Sequence, residues 1–197
     1  MKTSASVKNN IVYVICLLYI LLFVYAAVSK LVDFENFLVQ LGQSPLLSAF
    51  AEWLYWLVPV TEISIVILLL IPKIRLYGLY SSFFLMMMFT SYIFIILNFS
   101  ESIPCSCGGI LERLGWREHM WFNSAFILLA AIAVFFSEPK TRIKRTIAIL
   151  TICAILSIGT FLVLYKISNK ITRYHNTFIR NFPMAANKIS EIDLGYN

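Results

Sequence analysis

The sequence predicts an all-α integral membrane protein with five spanning helices, and three observations carry that expectation. Of the 197 residues, 60% are hydrophobic and 13% charged, whereas soluble domains run at about 25% charged. The mean hydropathy is +0.82. Five separate segments approach the roughly 20 apolar residues that a helix rising 1.5 Å per residue needs to cross a hydrocarbon core about 30 Å thick.

The first segment runs from Ile11 to Val28, between Lys8-Asn9-Asn10 and Ser29-Lys30. Its apolar stretch is closer to a full span than to the core of a signal peptide, so it is expected to be an uncleaved helix despite Lys2, Lys8 and the passable cleavage site at Val24-Tyr25-Ala26. The second runs from Leu54 to Ile71 and stops at Pro72-Lys73. The third, Leu76 to Leu97, contains Met86-Met87-Met88, which reads as core or lipid-facing filler. The fourth, Trp121 to Phe136, is short for a span unless Glu118-His119-Met120 continue it. The fifth runs from Ile147 to Tyr165. On this division the chain has a membrane domain over 1–137, a basic loop and fifth helix over 138–165, and a tail over 166–197.

Seven glycines and six prolines exclude a collagen-like or disordered chain. The net charge of +6 finds its explanation in the bilayer and not in nucleic acid, because the basic residues sit at helix ends and form no separate basic face. Lys2, Lys8, Lys73, Arg75, Lys140, Arg142, Lys144 and Arg145 crowd into short segments on one side. Lys30, Arg113, Arg117, Lys166, Lys170, Arg173, Arg180 and Lys188 are spread over far longer ones on the other. The denser side is expected to be cytoplasmic, which puts the N-terminus inside and the C-terminus outside. Loops 29–53 and 98–120 and the tail then face outward, and the membrane is expected to be a bacterial inner one.

Four cysteines divide into two kinds. Cys16 and Cys153 lie in long apolar runs, where a thiol acts as a small hydrophobe. Cys105 and Cys107 lie in the polar loop Ile103-Pro-Cys-Ser-Cys-Gly-Gly109, just past the third span. The short run Ile110 to Gly115 after it reads as a turn or two of interfacial helix, with Trp116 and Trp121 in the aromatic belt. A Cys-x-Cys disulfide closes a tight ring that departs from preferred geometry, and a strained disulfide is the more oxidising and exchangeable kind. Pro104 and Gly108-Gly109 suit the sharp backbone required. Arg113, Arg117 or His119 nearby would favour the thiolate. An inert disulfide, two idle thiols and half a metal site remain readings of the same motif, although His119 and Glu112 offer too few soft ligands for a metal.

A second signal is Glu62, about eight residues into the second span and so roughly 12 Å deep. A carboxylate there faces the bundle interior with a partner or is neutral. Lys30 could reach it from the end of the first span, or could pair with Asp33 three residues along its own helix. Glu62 reads either as a proton relay or as a packing residue beside Pro59. Ser157 and Gly159 suit close helix packing.

Several of these residues together resemble the MauE/DoxX-like membrane proteins: Ser29-Lys30-Leu31-Val32-Asp33-Phe34 after the first helix, Pro59-x-x-Glu62 in the second, and Cys105-Ser-Cys107-Gly after the third. The resemblance covers about residues 10–137. It implies a four-helix transmembrane bundle, here with a fifth C-terminal helix added, with Cys105 and Cys107 as the redox pair and Glu62 and Lys30 as inner positions. The MauE branch is implicated in maturing a disulfide-rich enzyme subunit in methylamine utilisation. The wider group is similar to the four-helix bundle of vitamin K epoxide reductase. That distant likeness alone implies a quinone; the residues themselves call for no cofactor.

The chain departs from the reductase pattern in having Cys-x-Cys in place of Cys-x-x-Cys, and no second cysteine pair in an outer loop. The expected function is therefore thiol–disulfide exchange with an extracytoplasmic protein, as an oxidoreductase or as a redox accessory. The rivals are a non-enzymatic subunit that scaffolds a larger membrane complex, and a small proton-coupled transporter built on Glu62.

Overall fold

In the computed structural model the described residues are 2–44, 46–99, 115–138 and 142–181. They form α1 (Lys2–Val32), α2 (Phe34–Gln43), a single 3-10 turn (Ser48–Phe50), α3 (Ala51–Leu70), α4 (Arg75–Phe99), α5 (Trp116–Ser137) and α6 (Ile143–Asn181). Five of these contain stretches long and apolar enough to cross a bilayer: Ser6–Val32, Ser48–Leu70, Arg75–Asn98, Trp116–Ser137 and Ile143–Ile167. The all-helical, five-span expectation holds.

The helices α1, α3, α4 and α5 close a ring in which each packs on the next, and α6 lies outside it, seated mainly on α4. This is the four-plus-one arrangement. One half of the ring interior is apolar. Cys16, Tyr19 and Phe23 of α1 meet Ile65 and Leu69 of α3, Leu79, Phe83 and Met86 of α4, and Ala130, Ala133 and Val134 of α5. In lipid the hydrophobic effect does not hold helices together, so close contacts and internal hydrogen bonds carry that burden. The Tyr19 hydroxyl donates to the Phe126 carbonyl at 2.5 Å, and the two rings meet edge to face at 5.3 Å, tying α1 to α5. At Gly78 a Cβ would lie 2.9 Å from the Leu69 side chain and 3.0 Å from its backbone nitrogen, so only glycine lets α4 approach α3 this closely.

Some elements differ from their sequence-based outlines. Glu118, His119 and Met120 do continue the fourth span, whose helix starts at Trp116 behind Gly115. The segment after the first span is not a plain loop. α1 runs on to Val32 and α2 follows, its buried Phe37 and Leu41 packed with Ala51 and against Leu54 and Val58 of α3. The helix of the fifth span continues past Tyr165 to Asn181, about 58 Å in all at 1.5 Å per residue, and so overruns the membrane. Ser157 is buried and hydrogen-bonds Ser91 of α4 at 3.3 Å, as a packing residue should. Gly159 has open space where a Cβ would sit, so it mediates no close approach. Met86 is buried core, with Met87 and Met88 partly buried beside the two interior clusters.

Candidate functional site: a charged pair inside one end of the bundle

The two ends of the ring have different chemistry. At the end where α1 begins, Lys8 lies over the Phe136 ring at 5.5 Å and Arg75 over the Tyr13 ring at 6.0 Å. Tyr80 donates to Glu138 at 3.4 Å there. The opposite end gathers the end of α1, α2, the start of α3, the end of α4 and the start of α5. All four tryptophans belong to it, Trp53 and Trp56 on α3 and Trp116 and Trp121 on α5, as an interfacial aromatic belt requires.

Within this second end the ring interior turns polar. The Lys30 ammonium lies 2.8 Å from Glu62 Oε1 and also donates to the Ala26 carbonyl at 3.1 Å. Glu62 is 1% exposed and Lys30 17%. The geometry follows from the helices. Lys30 sits in the last turn of α1, where its charge also suits the exposed carbonyl end of the helix, and its four-carbon stem lets the head reach inward beside α3. Pro59, one turn before Glu62, has no N–H to offer the Tyr55 carbonyl.

The pairing settles which partner Lys30 takes. Asp33 is not it: its carboxylate accepts from the Asn36 side chain at 2.8 Å and stays exposed. The second oxygen of the glutamate, Oε2, is buried and accepts no hydrogen bond among the described residues. Nearby, Ser29, Lys30, Asp33, Phe37 and Gln40 enclose a cavity of about 10 Å³, room for one water molecule. Gln40 Oε1 is buried beside it, also with no donor among the described residues. Lys30 stands over the Phe37 ring at 5.9 Å.

His119, in the first turns of α5, is close enough to Lys30 to feel its charge. Asn123 lies one turn further along the same helix face and is buried. Ser44 and Tyr92 share a buried 2.8 Å hydrogen bond that holds the α2–α3 connection to α4. The end of α4 and the start of α5 meet in the cluster of Tyr92, Ile93 and Ile96 with Trp116 and Met120.

Of the residues singled out in the sequence, the structure pairs Lys30 with Glu62, puts His119 at the same end of the ring and leaves Asp33 aside. Cys105, Cys107 and Arg113 lie outside the described residues. The chain leaves α4 and re-enters α5 at the same end of the ring as the Lys30–Glu62 pair. Cys16 is buried in the apolar half and Cys153 of α6 packs against that cluster; both are free thiols. Gln40 and the α2 helix were not singled out. The apolar spacing of Phe34, Phe37, Leu38 and Leu41, at i, i+3, i+4 and i+7, is the pattern that marks α2.

The family profile described as Methylamine utilisation protein MauE matches residues 8–136, which spans the whole four-helix ring and stops short of α6. No curated protein and no solved structure matches the chain.

Proposed function

The chain belongs to the MauE family, and from that premise we propose that it is a membrane accessory of methylamine utilisation that matures an extracytoplasmic protein by thiol–disulfide exchange at Cys105 and Cys107. The observation that carries this reading is the position of the Cys-Ser-Cys motif in the chain. It falls inside the family match, in the connection between α4 and α5, and both of those helices open onto the ring end that holds the buried Lys30–Glu62 pair. A single such cysteine pair fits a component of a redox pathway that hands its electrons to another protein.

In the exchange, a partner thiolate attacks one sulfur of the Cys105–Cys107 disulfide, and the other sulfur leaves as thiolate and takes up a proton. A second partner thiolate then breaks the mixed disulfide. The partner loses two electrons and the pair gains them, to be passed on to a separate disulfide carrier. The cysteine end of the ring is taken as extracytoplasmic because Lys8, Lys73, Arg75, Arg142, Lys144 and Arg145 gather at the other end.

Thiol trapping in native membranes tests this. The expected result is that both cysteines alkylate only after reduction and that Cys105→Ser or Cys107→Ser, which cannot form the disulfide that the partner attacks, stops partner oxidation. If both resist alkylation before and after reduction, and Cys105→Ser leaves partner oxidation unchanged, the reading fails.

A second reading, an accessory that scaffolds a larger complex, is favoured by α6. It lies outside the ring, is the least buried of the five spans, and carries its helix beyond the span Ile143–Ile167 to Asn181. A stoichiometric partner that survives both cysteine substitutions in mild detergent supports it.

A further inference from the structure

Of the four seams that close the ring, the one between α1 and α5 is the least extensive. A groove of about 440 Å³ runs along it, walled by Val7, Ile11, Val14 and Leu18 of α1 and by Leu129 and Ile132 of α5. Asn10 supplies the polar group in the lining. At the same end Lys8 reaches across the seam, its Nζ 5.5 Å from the centre of the Phe136 ring. The groove is thus apolar along its length, with a cation beside its Val7 end.

We propose that this groove is a binding site for an anionic phospholipid, one acyl chain lying between α1 and α5 and the headgroup phosphate meeting Lys8. Three observations select that occupant. From Val7 to Leu18 the groove extends about 16 Å at 1.5 Å per residue, half of a hydrocarbon core about 30 Å thick. That is the depth of one leaflet, and so of one acyl chain. Its volume falls in the range of roughly 300–1,000 Å³ typical of small-ligand clefts.

The wall is also wrong for a second helix. Helices that pack in lipid meet through Gly, Ala, Ser or Thr, which let backbones approach, and the groove is lined instead by branched aliphatic side chains. Finally, Lys8 stands beside the Val7 end of the groove, and a cation there attracts anionic headgroups over neutral ones. The site lies at the opposite end of the ring from Lys30 and Glu62 and does not depend on any thiol chemistry.

The test uses the full chain, delipidated in a neutral detergent and offered equal amounts of phosphatidylglycerol and phosphatidylcholine with the same acyl chains. Retained lipid is read by native mass spectrometry. Phosphatidylglycerol is expected to be retained about fivefold over phosphatidylcholine, the ratio that one basic residue at the headgroup confers. Lys8→Glu is expected to abolish that preference. Val14→Trp, or Leu18→Trp on the same exposed wall, is expected to remove both lipids while helical content and monodisperse elution persist. Equal retention of the two lipids overturns the proposal, as does retention that neither tryptophan changes. So does a dimer that Val14→Trp dissociates, or a retained quinone in place of lipid.

Discussion

Lys30 and Glu62 sit 32 residues apart in sequence, on different helices, and meet at 2.8 Å inside the membrane-spanning ring. One carboxylate oxygen takes the ammonium, and the other lies buried with no donor among the described residues. Such a pair joins α1 to α3 at one depth and leaves one polar atom in reserve for whatever approaches that end.

Removing one member should therefore cost more than removing both. Lys30→Met strands a carboxylate that is 1% exposed, and loss of one partner of a buried pair costs about 3–5 kcal/mol. The Lys30→Met/Glu62→Leu double variant is expected to recover most of that loss. Reversible unfolding in bicelles with denaturing detergent reads the difference. A double variant as unstable as the sum of the singles would show that the two side chains act separately.

Glu62→Gln separates packing from proton transfer. The amide keeps the shape and can still accept from Lys30 but leaves the ammonium without a counter-charge, so a purely structural carboxylate predicts a folded protein of lower stability whose partner oxidation falls no further than its stability does. A folded Glu62→Gln protein with unchanged thermal stability and abolished activity would assign Glu62 a role in moving a proton. Partner oxidation is measured by thiol trapping alongside the unfolding midpoint.

Gly78→Ala should destabilise the contact between α3 and α4. The added methyl would lie 2.9 Å from a Leu69 methyl and 3.0 Å from Leu69 nitrogen, and overpacking of this kind costs about 1–3 kcal/mol. Because part of the clash is with a side chain, adding Leu69→Ala is expected to relieve some of it and not all. A melting-temperature series of the two singles and the double measures the residue left by the backbone.

Ser157→Ala should loosen α6 from the ring, since its hydroxyl shares a buried hydrogen bond with Ser91 of α4. Interhelical hydrogen bonds in membranes are worth about 0.6–2 kcal/mol, so the loss is modest and local. Disulfide cross-linking between engineered cysteines on α4 and α6 should slow, while cross-linking between α4 and α5 stays unchanged.

Labelling should single out two of the four cysteines. Cys16 is buried against the apolar core and Cys153 packs beside it on α6, so neither should react with a membrane-impermeant maleimide. In a reduced sample the label is expected on Cys105 and Cys107 alone. Replacing Cys16 and Cys153 by serine should leave the labelling pattern intact.

Hydrophobic length alone determined the five spans, because a bilayer about 30 Å thick leaves a chain few alternatives to a helix of some 20 apolar residues. The extension of the fourth span back through Glu118, His119 and Met120 was legible only as a condition, since polar residues at a membrane boundary can be helical or not. The extent of α6 to Asn181 was hidden for the same reason: hydropathy marks where a helix leaves lipid and says nothing of where it ends.

The depth of Glu62 was readable by counting residues, and so was its need for a partner. Which cation met it was not. Lys30 lies three residues from Asp33 on the chain and on a different helix from Glu62, and near neighbours in sequence compete equally on paper. Only the packing of α1 on α3 decided for Glu62, by burying the carboxylate within reach of the Lys30 ammonium, while Asp33 stayed exposed beside Asn36. The tertiary structure likewise gave Gly78 and not Gly159 the close helix contact, because a glycine matters only where another backbone comes near.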